Sequence, residues 1–240
     1  MTCMPQLARP AALLLVVGLA ACQTPSGLAR DAPAATQPKL PEGVQVLDAD
    51  LSQALARPAS ALPPLLGPRG VPITTCNELL TQLRSGFDLG EQRERREFAA
   101  WSNCLASGVI AGARPSGRNT FDLQHAGQQI LTRLDLATVP SSLAQRRPAE
   151  HYRLTDFQFS SSRIEPLSLE LVSEAFRYNF VVLASGDFRG TGSAALLVRF
   201  TQRASAGSYD SNTLLILESA TKDEAIVATD AIEHLQLAGR

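Results

Sequence analysis

The apolar positions of this chain fall into three regimes. From Ala11 to Ala21 they are continuous, "AALLLVVGLAA". From about Thr75 to Leu134 they recur at helical spacing. Beyond Tyr152 they alternate, as along a strand. Between the first two regimes lies a stretch with no period, marked by "TPSG", "DAPAATQPKLPEG" and "ARPASALPPLLGPRG". Proline recurs there every few residues, which blocks both helix and central strand. Residues 22–70 therefore read as a tether that holds a module away from a surface. Its one apolar island is "VQVLDADLSQAL", residues 44–55, which is suited to docking on the module.

The helical regime opens with Thr75-x-x-Glu78, the pattern of a capping box. Cys76, Leu79, Leu80, Leu83 and Phe87 then share one face. Residues 90–112, "GEQRERREFAAWSNCLASGVIAG", predict a second helix burying Phe98, Trp101, Leu105 and Val109. In that helix Glu91/Arg95 and Arg93/Glu97 would be i,i+4 pairs on a solvated face. A third helix is expected from Thr120, with Leu123, Ala126, Ile130 and Leu134 as its stripe. Prolines in "TVPSS" and "RRPAEH" end it.

In the last regime, Ile164 to Leu171 predict one strand, with Pro166 marking an edge or a bend. Phe176 to Ala184, Leu196 to Phe200, "NTLLILES" and "EAIVAT" supply the others. Helices first and strands after predict an α+β fold. The expected architecture is an N-terminal helical hairpin plus a third helix, packed on one face of a four- to five-stranded antiparallel meander. Residues 71–240 would form this single domain.

Charge narrows the partners. The chain has 22 basic and 23 acidic residues, a formal charge of −1. All the basic residues but Lys39 and Lys222 are arginine. No positive excess is available for nucleic acid or an anionic membrane, so no nucleic-acid partner is expected.

The leading apolar run is too short for a bilayer core, which needs about 20 residues. With Arg9 before it, it suits the h-region of a signal peptide, residues 1–21. It ends in Leu19-Ala20-Ala21-Cys22, followed by a polar tail. Small residues before a cysteine resemble the lipobox of bacterial lipoproteins. The resemblance implies that Cys22 is alkylated by diacylglycerol and becomes residue 1 after cleavage. The alternative is an ordinary signal peptide cut near Ala21, leaving Cys22 a free thiol. More than one acyl chain would make the anchor stable. Gln23, where an aspartate retains such proteins in the inner membrane, implies the periplasmic face of the outer membrane.

Cys3 would leave with the signal and Cys22 would carry lipid. That leaves Cys76 and Cys104, an even pair in an oxidising compartment. A disulfide between them is expected, worth about 3–4 kcal/mol on the chain-entropy model. The alternative is two buried thiols.

"SGDFRGTGSAALLV", residues 185–198, resembles one loop of the FG-GAP or VCBS-type repeats, whose acidic positions bind calcium. Asp187 matches the first ligand, and Gly190 and Gly192 match the turn glycines. Arg189, Thr191 and Ala195 replace ligand positions. Calcium needs six to eight oxygens, so a metal-independent turn is expected here. Its glycines would supply positive φ, and Arg189 could pair with Asp187 in place of the cation.

His125, His151 and His234 share no ligand spacing, and no metal or cofactor is expected. No G-x-S-x-G elbow or phosphate loop is present in the sequence. Tyr209, among small polar residues in "SAGSYDSN", is a candidate binding tip. These features lead to a non-enzymatic, lipid-anchored envelope module that binds an envelope protein partner or supports an assembly. The alternative is an envelope hydrolase whose site is assembled from residues distant in sequence.

Overall fold

The computed structural model describes residues 39–57, 61–140 and 153–238, and all of them belong to one unit, Ala35–Arg240. The expected signal peptide, Cys22 and His151 lie outside the described residues. The architecture is α+β, with a large antiparallel sheet and helices packed against it.

The sheet is built by the alternating regime. β5 (Ser161–Glu165), β6 (Ser168–Val172), β7 (Phe176–Gly186), β8 (Ser193–Ala204), β9 (Asp210–Glu218) and β10 (Val227–Asp230) pair in chain order as an antiparallel meander. The meander thus has six strands, not four or five. The difference arises at Pro166: the stretch expected as one strand turns there, and its two halves pair with each other. Two short additions extend the sheet: β1 (Gln45–Val46) pairs with β7, and β4 (Arg118–Asn119) runs parallel to β8. A separate two-stranded ribbon joins β2 (Leu65–Leu66) to β3 (Pro72–Ile73).

Both faces of the sheet are covered, rather than the one expected. Leu183, Leu197, Leu214 and Ile216 face a core shared with α1 (Ala49–Ala56), α2 (Cys76–Arg84), α3 (Ser102–Ala111) and α5 (Ala231–Leu237). Phe180, Val198, Leu215 and Leu217 face a second core shared with α4 (Ala126–Arg133). Successive side chains point to opposite faces, so the unbroken run Leu214–Leu217 fills both cores at once. Gly127 brings α4 close to the β5–β6 turn. A Cβ there would stand 2.4 Å from the carbonyl oxygens of Glu165 and Ser168.

The first helix forms as expected. Thr75 caps α2 by accepting from the Glu78 backbone N–H, and the Glu78 carboxylate accepts from the backbone of Thr75 at 3.0 Å. Residues 90–112 do not form one helix. Two 3-10 segments, Gly90–Glu94 and Arg96–Trp101, precede α3, with Arg95 extended between them. The expected i,i+4 pairs are therefore lost. Arg93 instead pairs with Asp230 across the fold, and Arg96 lies 4.0 Å from Asp210. The third helix starts at Ala126 rather than Thr120. Thr120 is pinned to β8 by its hydroxyl, which donates to the Ala194 carbonyl at 3.2 Å. Asp122 turns the chain by accepting from the Gln124 N–H at 3.0 Å.

The folded domain also begins before residue 70, the expected end of the tether. A register shift in β7 between Val182 and Ala184 frees the Leu183 carbonyl from the ladder. That carbonyl accepts the N–H groups of Leu47 and Asp48 at 2.8 and 3.2 Å. Asp48 then caps α1 through the Leu51 N–H, and Leu51 is 0% exposed. The apolar island of residues 44–55 is thus an integral part of the domain.

Candidate functional site

The site starts from the disulfide. Cys76 opens α2 and Cys104 sits in the first turn of α3, so one covalent link holds the two helices at a Cα–Cα distance of 5.4 Å. The expected pairing is present. Gly108 lets the helices approach further, since any Cβ there would fall 2.4 Å from Leu80 Cδ2. α1 packs against α3 through buried Leu51, and Leu55 in its next turn is half-buried against the same core. The gap left between α1, α2 and α3 is a pocket of about 440 Å³.

Leu55 from α1, Leu62 from the following segment, Leu80 from α2 and Ile110 from α3 form its walls, with the disulfide beside them. Its polar border is Lys39, Arg57, Asn103 and Ser107. Lys39 and Arg57 are exposed and make no ion pair with any described residue. The Ser107 hydroxyl donates to the Cys104 carbonyl at 2.7 Å. The Asn103 amide oxygen is buried without a hydrogen-bond partner. The arrangement can bury an apolar group, with two cations at its edge and no carboxylate among its lining residues. Its volume falls within the range of small-molecule sites, about 300–1,000 Å³.

The calcium-like loop is elsewhere, between β7 and β8. Asp187 is 2% exposed, and its carboxylate accepts the N–H groups of Thr191 at 3.0 Å and Gly192 at 2.7 Å. Gly190 and Gly192 take φ of 72° and 78°, which lets the chain fold over that carboxylate. Two backbone N–H groups meet the charge of Asp187. The expected Arg189–Asp187 pair does not form. Arg189 turns away and donates to Glu218 at 2.8 Å and Thr229 at 3.2 Å, tying the loop to β9 and β10. Arg114 lies over Gly190 instead, and its backbone N–H donates to the Asp187 carbonyl at 2.9 Å.

Near Arg189, His234 on α5 has its pKa pushed below the usual imidazole value. Burial is the main cause, and the Arg189 charge adds to it against the opposing pull of Glu218. His125 lies on the other side of the sheet sequence, 2.8 Å from Asp122, whose carboxyl is lowered chiefly by that contact. Tyr209 is 45% exposed and meets Phe176 edge-to-face at 6.0 Å. It belongs to an aromatic row with Phe176, Tyr178 and Phe159 and does not line the pocket.

The structure joins Cys76 to Cys104 and gathers Asp187, Gly190, Thr191 and Gly192 in one turn, while Arg189 contacts Glu218 and Thr229 and exposed Tyr209 contacts Phe176. Lys39, Arg57, Leu62 and Asn103 were not singled out by sequence as site residues, and Leu55 and Leu80 were read only as apolar packing positions. The signal available was Asp48 before "ADLSQALA", a cap followed by an amphipathic helix. No helix among the described residues is long and apolar enough to cross a membrane. No protein-family model, curated protein or solved structure matches the chain.

Proposed function

We propose that this chain is a lipid-anchored protein of the bacterial cell envelope, held through Cys22 at the periplasmic face of the outer membrane, and that it works by binding. The observation that carries the reading is the apolar pocket at the disulfide. Lys39 and Leu40, at the start of the described chain, border it. Residues 23–38, fully extended, span at most about 55 Å, so an anchor at Cys22 would keep this pocket within a short distance of the membrane. In this reading α2 and α3 act as a disulfide-stapled hairpin that gives the site a rigid base, while α4, the third helix, packs on the opposite face of the sheet. The partner is another envelope component that presents an apolar group.

Intact-mass analysis of the chain extracted from outer-membrane fractions tests the anchor. The expected mass is that of residues 22–240 plus acyl groups, and Cys22→Ala abolishes both the added mass and the membrane association. A mature chain of unmodified mass in the soluble fraction would contradict the reading.

A further inference from the structure

We infer that the pocket between α1, α2 and α3 takes a single alkyl chain carrying an anionic head, of the fatty-acid class. The inference rests on the reading of this pocket as the binding site. Three observations lead to it. The walls are aliphatic, from Leu55, Leu62, Leu80 and Ile110, with no aromatic ring among the lining residues to stack on a planar ligand. The space of about 440 Å³ is of small-molecule size, and half-buried Leu55 and Leu80 remain partly open to solvent there. The charges at its edge are of one sign: among the described residues Lys39 and Arg57 are unpaired and no Asp or Glu lines the space.

An alkyl chain gains from each methylene withdrawn from water, about a fourfold gain in affinity apiece. The carboxylate would stay at the mouth between the two cations, where partial exposure avoids the cost of burying a charge. Exposed pairs of this kind are worth up to about fivefold in affinity each, so the head sets orientation and preference while the chain supplies most of the binding.

The test uses the full lipidated chain reconstituted in phosphatidylcholine vesicles. It is photolabelled with palmitic acid bearing a terminal diazirine, or with the matching long-chain alcohol. Labelled positions are read by peptide mass spectrometry. The expected label lies on the α1 and α3 peptides that line the pocket, with the acid exceeding the alcohol about three- to tenfold. Ala54→Phe, which fills the space from α1, removes this label. The exposed double variant Lys39→Gln, Arg57→Gln keeps the label but brings acid and alcohol to parity. Label scattered over the surface, or label that survives Ala54→Phe in a variant of unchanged far-UV circular dichroism, overturns the inference. So does a diacyl phospholipid probe that labels the pocket more strongly than the acid. Flotation of the same vesicles is read separately. Chain that floats without pocket label defeats the ligand while leaving the anchor standing. Chain that fails to float yet labels at the pocket defeats the anchor alone.

Discussion

At the residue scale, Asp187 gathers the backbone of a loop shaped like a calcium site around its own carboxylate. Two backbone N–H groups converge on its buried carboxylate, and left-handed Gly190 and Gly192 make that convergence possible. Asp187→Ala leaves both donors without their charged acceptor and is expected to cost about 2–3 kcal/mol in urea unfolding. Calcium is expected to leave the melting temperature of the unmodified chain unchanged, and a rise of several degrees would contradict this account of the loop.

His234 gives the molecule an acid-sensitive point. Its folded pKa lies below its unfolded value of about 6.5, so the unfolded chain binds the proton more readily. Stability is therefore fully present above that unfolded value and declines as the pH falls towards the lowered folded one. His234→Gln is expected to flatten the stability curve as the pH falls through and below about 6.5. Glu78 acts in a separate window: its carboxyl is lowered by the backbone N–H groups it caps, so its contribution fades only below its ordinary value of 4.5. Equal slopes for both chains across the upper window would exclude His234 as the cause.

At the element scale, the disulfide closes a loop of 28 residues in sequence separation between α2 and α3. Replacing both cysteines by serine is expected to lower unfolding free energy by about 3–4 kcal/mol. It should also loosen the pocket wall, read as faster amide exchange in α2 and α3. A double variant as stable as the parent would mean that the helices are held by packing alone.

Elements whose signal was local were legible in the sequence. The Thr75–Glu78 box and the strands β7 to β9 are set by neighbours in the chain, through capping and alternation. Where the outcome depended on distant partners, the sequence misled. Arg93 reads as half of an i,i+4 pair, but Asp230, far along the chain, captures it, and the helix expected over residues 90–112 starts only at Ser102. The run Leu214–Leu217 does carry a signal that the meander is covered on both faces, since a one-sided strand would alternate. α5 was missed because its cap, Asp230, is also the last residue of β10 and leaves only a short periodic stretch.

At the scale of the whole molecule, the main departure is at the N-terminal side. Proline density suggested a tether to residue 70, yet β1 and α1 dock where the β7 bulge frees a carbonyl. Because the pocket depends on α1, part of the candidate site lay in the segment that composition marked as linker. Leu51→Ala is expected to cost about 2–5 kcal/mol, as for a core leucine. A change near zero would show that residues 44–56 unfold apart from the domain.

The central claim is that the anchored domain binds through the pocket beside its disulfide. The most direct measurement places a photocrosslinking residue at exposed Ala111, on the pocket border, and compares it in intact cells with the same residue at Glu174, on the exposed β6–β7 turn. A discrete adduct from position 111 that is absent from position 174 is the predicted result. No adduct from either position, or the same adducts from both, would contradict the claim.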